Sequence, residues 1–205
     1  MTVRVHSPDF QDELRDAQAG DERAFASLFR AVQPVLLRYL TGLTHNLADG
    51  TADDVAAETW VQVVRGIGRF RGDEQGFRAW VFTIARARLI DARRRSGRLP
   101  VPEDVEERLA DVAVPSAEDS VEVLFTTERA LALVGSLPAG QAEVVLLRYV
   151  AGFDVKGTAR ILGKGEGAVR VTAHRALRKL EETLDGSVDR PGVTRTTSDS
   201  VREVR

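Results

Sequence analysis

Cysteine does not occur among the 205 residues. Its absence removes disulfides, thiol nucleophiles and thiolate metal sites together. No stretch approaches the ~18 consecutive apolar residues of a membrane-spanning helix, and the first residues lack the basic and apolar pattern of a secretion signal. Histidine occurs only as His6, His45 and His174, far apart in sequence. An excess of charge is missing too: 29 basic residues face 31 acidic ones, a net −2. Taken alone, that balance argues against a nucleic-acid-binding protein. What is present is a 43% hydrophobic composition, sufficient for a packed core in one ordinary domain or two small ones.

The near-neutral total is a cancellation. From Trp60 to Arg98, ten arginines stand against Asp73, Glu74 and Asp91, a local +7. From Leu99 to Glu128, nine acids stand against Arg108, a local −8. From Asp154 to Glu182, seven basic residues face four acidic ones, a local +3. Two basic blocks therefore flank one acidic block, and each basic block is a footprint of the kind a phosphate backbone attracts.

The apolar residues recur at helical spacing, and no alternating strand pattern stands out. The fold class expected is all-α: two small helical domains on a flexible acidic linker. Residues 1–19 form an N-terminal extension or the start of the first helix, 20–97 a first domain, 98–120 the linker, 121–185 a second domain and 186–205 a disordered tail. Within the first domain a helix is predicted from Gly20-Asp21 to about Leu40, kinked or divided at Pro34. A second starts with Thr51 as N-cap and Asp54 in a capping-box-like position, and a third runs from Phe77 to about Arg95. In the second domain helices are predicted over about 121–136, from Pro138 as first helical residue to about 150, over 155–162 and over 167–184. The linker reaches roughly 75 Å when extended, enough to hold two domains apart.

Val155–Leu180 has the form of a helix-turn-helix, a short helix ended by Gly163 and a second helix after Lys164-Gly165-Glu166. On a helical wheel Val169, Ala173, Ala176, Leu177 and Leu180 share one side. Arg170, His174 and Arg178 form a row elsewhere, with Val171, Arg175 and Lys179 beside it. A helix of that design suits the DNA major groove, although an ordinary solvated face carries such charges too. In the first domain Asp54, Glu58, Val61, Gln62 and Arg65 lie along one face of the second helix, opposite Val55, Ala56, Thr59 and Val63. The stretch Phe70–Trp80 interleaves aromatics with arginines before a helix from which Arg86 and Arg93 project. Single-stranded bases stack on aromatics while cations track the phosphates. Phe77 and Trp80 are expected in the core, which leaves Phe70 and Arg71 as the better candidates for base contact.

From about Gly20 to Leu184 the chain resembles the extracytoplasmic-function group of bacterial RNA polymerase sigma factors, in the sigma-70 family. Four segments carry the likeness: Gly20–Phe25, Ala52–Trp60, Phe77–Arg86 continuing to Ile90–Arg94, and Leu137-Pro138 through the helix-turn-helix. The resemblance implies that Asp54, Glu58, Gln62 and Arg65 dock on the β′ clamp coiled coil of core polymerase. It implies that Phe70, Arg71, Arg86, Arg88 and Arg93 melt the −10 element and hold its strand, where an extruded base needs a pocket. The −35 element falls to Arg170, Val171, His174, Arg175 and Arg178. The partners implied are core polymerase, through the clamp and the β flap, promoter DNA, and an anti-sigma factor by family habit. The linker is expected in the RNA-exit path. Ala57 and Ala87 depart from the glutamine and asparagine usual at those positions, and Val171-Thr172-Ala173 from a commoner Ser-Arg-aliphatic run.

A cytoplasmic protein without catalysis, cofactor or metal is thereby expected. A one-component regulator with a helical sensor or dimerisation domain competes with this reading, but it has no need of the basic-aromatic block. An enzyme would require a metal-ligand cluster, nucleophile elbow, P-loop or histidine dyad, and the sequence has none at readable spacing.

Overall fold

The computed structural model describes residues 10–45, 47–48, 50–97 and 128–188. Among them there are helices and turns and no strand. In chain order the helices are α1 (Phe10–Gln18), α2 (Glu22–Thr44), α3 (Thr51–Gly66), α4 (Glu74–Arg95), α5 (Glu128–Gly135), α6 (Ala139–Val145), α7 (Val155–Leu162) and α8 (Glu166–Val188). A single 3₁₀ turn at Ile67–Arg69 follows α3, and a π turn at Leu146–Val150 continues α6. The expected linker, the helical stretch predicted before residue 128 and most of the tail lie outside the described residues.

Aspartates start three of these helices. Asp21, Asp73 and Asp154 accept hydrogen bonds from the backbone N–H groups of Ala24 (2.8 Å), Gly76 (2.7 Å) and Gly157 (2.6 Å). Each satisfies a donor that the first turn leaves without an intrahelical partner. The cap at Asp73 begins α4 three residues ahead of the predicted Phe77. At α3 the predicted capping box does not form. Gly50 is the N-cap, Thr51 is already helical, and the Thr51 hydroxyl turns back to donate to Ala48 O at 2.6 Å. Pro138 is likewise the N-cap of α6, one position before its predicted place.

Pro34 does not divide α2, which is helical throughout Glu22–Thr44. The proline ring is on the solvent side, while Leu28, Val32, Leu36, Leu40 and Leu43 run past it as one buried stripe. Apolar burial on both sides of one missing N–H outweighs the break that proline favours in an isolated helix. Gly163, at φ +66°, ends α7 in the left-handed conformation, which glycine adopts without the Cβ clash other residues meet.

α1, α2, α3 and α4 pack on one another in the first unit. Trp60 of α3 seats against Phe25 and Phe29 of α2 and donates its indole N–H to Gln33 Oε1 at 2.6 Å. In the second unit α6 and α7 lie against α8. The four consecutive residues Val144–Leu147 are all buried where α6 passes into the π turn.

The two units are not held apart. α5, α6 and the π turn pack on α2, and α7 packs on α4, so that one continuous core runs through both. Phe82 of α4 meets Phe153 edge-on, ring centres 5.0 Å apart. A Cβ at Gly42 would fall 2.8 Å from the Leu146 side chain, so glycine there is what lets Leu146 seat on α2. Both expected helical domains are present, and apolar surface joins them. Segment-by-segment charge counting had no means of registering apolar surface on both facing sides.

Candidate nucleic-acid interface

α3 presents its buried side (Val55, Ala56, Thr59, Val63) to α2 and α4. The opposite side carries exposed Asp54 and Arg65 and half-buried Glu58 and Gln62. Glu58 is tied to α4, since Arg95 Nη2 lies 3.1 and 3.4 Å from its two carboxylate oxygens. Val61 and Val64 are 48% and 56% exposed on this side. They add an apolar centre to a polar face. Val64 escaped the sequence reading because a helical wheel counts a valine as core until packing shows otherwise.

The Ile67–Gly72 turn carries Phe70 and Arg71. The Phe70 ring stacks on Trp80 (5.2 Å, 25°) and meets Phe77 edge-on (5.5 Å). Phe77 is buried, as expected, and Trp80 only half so. Arg71 folds back on its own loop, its Nη1 donating to Gly68 O (3.1 Å) and Phe70 O (2.7 Å). Gln18 of α1 donates to Ile67 O and Phe70 O, both at 2.9 Å, and Gln11 to Gly72 O at 3.1 Å. A cavity of about 140 Å³ lies between α1 and this turn, lined in part by Gln11, Arg15, Gln18 and Arg71. Nothing in the local pattern announces α1 as the support of the loop, because the contacts join residues 49 to 61 positions apart.

Arg86, Arg88 and Arg93 stand further along α4. Arg86 is six residues beyond Trp80, on which Phe70 stacks, about 9 Å along the axis at the α-helical rise. Among the described residues no hydrogen bond, ion pair or ring contact joins Arg86, Arg88 or Arg93 to Phe70 or Arg71. Arg88 pairs with Asp91 within its own helix at 3.4 Å. Arg93 donates to Leu43 O at 2.8 Å. Arg86 reaches the second unit, with its Nε 2.8 Å from Glu143 Oε1. The hydroxyl of fully buried Tyr39 donates to the same oxygen at 3.2 Å.

Burial decides the proton affinities here. Loss of water pushes the Tyr39 phenol well above its ordinary value; the Glu143 charge and hydrogen bond add to this, and Arg86 and Arg93 oppose it. Arg93 is lowered by burial, against Glu143 and Tyr39 and with Arg86. Arg78 is lowered by burial against the attraction of Glu74. Tyr39, Arg78 and Glu143 were absent from the sequence candidates, and a 104-residue separation between Tyr39 and Glu143 leaves no local signal to find them by.

In the second unit α7, the Gly163–Gly165 turn and α8 form the helix-turn-helix. Val169, Ala173, Ala176 and Leu180 are buried against the unit. Arg170, Arg175 and Arg178 are exposed and Val171 and His174 half-buried along the rest of the helix. Arg170 pairs with Glu166 at 3.0 Å and Arg178 with Glu182 at 3.5 Å, both one turn away and both exposed. Such pairs contribute about 0.3–0.5 kcal/mol and exchange readily for phosphate or base contacts. Among the described residues no group of three or more histidine, aspartate or glutamate side chains is placed to hold a metal. No helix among them is long and apolar enough to cross a membrane.

Two family models match the chain, sigma-70 region 2 over residues 28–99 and sigma-70 region 4 over residues 127–180. The ECF RNA polymerase sigma factor BldN of Streptomyces coelicolor is 36% identical over 169 residues, which is 82% of this chain and 63% of that protein. This chain thus spans less than two thirds of that relative's length. The ECF RNA polymerase sigma factor SigD of Mycobacterium tuberculosis is 32% identical over 181 residues, 86% of this chain and 84% of that protein. Among solved structures, RpoE of Bartonella quintana, in complex with the anti-sigma factor NepR, aligns with a TM-score of 0.58 at 25% identity, over 81% of this chain and 98% of that one. CnrH, in complex with the cytosolic domain of CnrY, shares the fold, with a TM-score of 0.60 at 24% identity over 85% of this chain and 96% of that one.

Proposed function

The chain belongs to the extracytoplasmic-function group of the sigma-70 family, promoter-recognising factors of RNA polymerase, and we propose how its surfaces divide that work. α3 docks on the β′ clamp coiled coil through Asp54, Glu58, Gln62 and Arg65, with Val61 and Val64 burying apolar area at the centre. A polar rim about an apolar centre is the usual anatomy of a protein interface. The Phe70–Arg71 turn and the Arg86, Arg88 and Arg93 row of α4 take the −10 strand, cations following phosphates. α8 enters the major groove at the −35 element with Arg170, Val171, His174, Arg175 and Arg178, and the second unit also meets the β flap. The protein works in the cytoplasm, without catalysis or cofactor of its own.

The observation that carries this reading is α8. One stripe is buried against α6 and α7, and the remainder turns three exposed arginines outward after a glycine-bounded turn. A sensor domain in the first unit would leave the exposed valines of α3 and the cations of α4 without a use. The relative from Bartonella quintana was solved with an anti-sigma factor, and an anti-sigma partner for this chain is part of the proposal; a pull-down that recovers polymerase and no small regulator counts against it. Run-off transcription with purified core polymerase on a library of promoter fragments tests the whole. Initiation at a defined subset is expected, and no initiation on any fragment overturns the proposal.

A further inference from the structure

α8 carries one carboxylate on a stretch otherwise supplied with cations. Between residues 166 and 180 it has Arg170, Arg175, Arg178 and Lys179, and Glu166 is its only acid. Glu166 is the first residue of the helix and is exposed, at the end that meets base edges when a helix-turn-helix docks. A carboxylate there is repelled by the phosphates and weakens binding to every duplex alike. The helix dipole favours an acid in the first turn, which explains an acid at this position but not the arginine set against it. Arg170 Nη2 lies 3.0 Å from Glu166 Oε2. Arginine has five N–H groups in a rigid fork, so a two-donor contact can be made beside the one that the carboxylate holds. Two acceptors on DNA fit such a fork, the O6/N7 edge of guanine and a phosphate. Glu166 separates them by charge. Guanine is neutral, and it gains from a fork already held in one rotamer, because less side-chain freedom is lost on binding. A phosphate shares the sign of Glu166 and is repelled at this range, well inside a Debye length of about 8–10 Å.

We propose that Glu166 is a positioning residue for −35 recognition, holding Arg170 for a guanine edge and turning it away from the phosphates. The proposal rests on the reading of α8 as the −35 helix. The second ion pair of the helix supplies the contrast. Arg178 stands eight residues beyond Arg170, about 12 Å along the axis, and pairs with Glu182 at 3.5 Å. Base edges are met by the N-terminal part of a recognition helix, so this second pair lies past the readout and Glu182 sets no base preference.

The test uses the full chain assembled with core polymerase and a promoter fragment that run-off transcription selects. Each −35 base pair is changed singly, and each guanine is replaced in turn by 7-deazaguanine, which lacks the N7 acceptor. Mobility shifts over about 50–200 mM salt give the affinity and its salt slope, and circular dichroism checks helicity. The unaltered chain should lose about tenfold in affinity when one particular G·C pair is changed, and several-fold when the N7 of that guanine is removed. Glu166→Gln keeps the shape and removes the charge. It should cut that discrimination to about a third or less and steepen the salt slope by about one unit, as Arg170 turns to a phosphate. Glu182→Gln should leave the discrimination as it is, and Glu166→Gln should alter it no further once Arg170→Ala is in place. Discrimination and slope both unchanged in Glu166→Gln overturn the proposal. An equal loss in Glu182→Gln, or a loss that persists with Arg170→Ala, overturns it too. If Arg170→Ala lowers discrimination and Glu166→Gln does not, the positioning role alone falls. If Arg170→Ala changes neither quantity, the −35 reading of Arg170 falls and the proposal with it.

Discussion

Gln18 offers a sharp test of how the Phe70–Arg71 turn is held. Its side-chain amide donates to two backbone carbonyls, Ile67 O and Phe70 O, at 2.9 Å each and partly shielded from water. Gln18→Glu keeps the size and abolishes both donors. Each net hydrogen bond contributes about 0.5–1.5 kcal/mol, and an acceptor stranded away from water costs more. The 140 Å³ cavity beside the turn opens to solvent, so water recovers part of the loss. The balance is about 1–2 kcal/mol, equivalent to a fall in Tm of about 2–8 °C for a fold of this size. Urea unfolding followed by circular dichroism reads the stability. In a second assay, 2-aminopurine fluorescence reads promoter opening by the polymerase complex, which should slow because the turn proposed to take the −10 strand is no longer pinned. Gln18→Ala should behave like Gln18→Glu. A Gln18→Glu chain within about 0.3 kcal/mol of wild type would refute the argument that these two bonds hold the turn.

Three further outcomes follow from the same geometry. Glu58→Arg should abolish co-elution with core polymerase in gel filtration while changing stability by no more than about 1 kcal/mol, because the pair it breaks with Arg95 is exposed; unchanged co-elution removes the docking face. Arg170→Ala should lose about 1–3 kcal/mol of −35 discrimination in mobility shifts if it pairs with a base, or weaken all duplexes alike if it meets a phosphate, and no change against any duplex excludes it from the interface. The raised Tyr39 pKa predicts a loss of stability in alkali. The unfolded phenol ionises near pH ~10, whereas the folded one keeps its proton to higher pH. The stabilisation is therefore fully present below about pH 10 and declines above it. Tyr39→Phe should flatten that decline in urea midpoints, and an equal decline in both chains contradicts the assignment.

Much of the secondary structure was legible because its signals are local. The stripe of α2, the glycine stop after α7 and the buried row of α8 are patterns of three and four residues, the range over which a helix sets its own faces. The errors were local as well. Thr51 resembles a cap, yet the turn preceding it ends in Gly50, whose αL backbone starts the helix and sends the threonine hydroxyl back to Ala48. Pro34 resembles a break, yet the buried residues on either side hold the helix through it. The candidate residues of α3 and α8 lie on exposed or half-exposed faces that the wheel alone could outline. Those of α4 were listed for their charge, and charge does not reveal that Arg86 already has a carboxylate against it.

The sequence by itself determined the all-helical class, the helix-turn-helix and the two basic blocks, because each is written within a few turns of chain. Only the tertiary structure decided what those blocks face. Gln18 beneath the Phe70 turn, Tyr39 and Glu143 about Arg86, and Leu146 on Gly42 join residues many tens of positions apart. Pairings of that kind arise from which apolar faces are left to bury once the helices exist. Shape and packing settle them, and no periodicity along the chain encodes them.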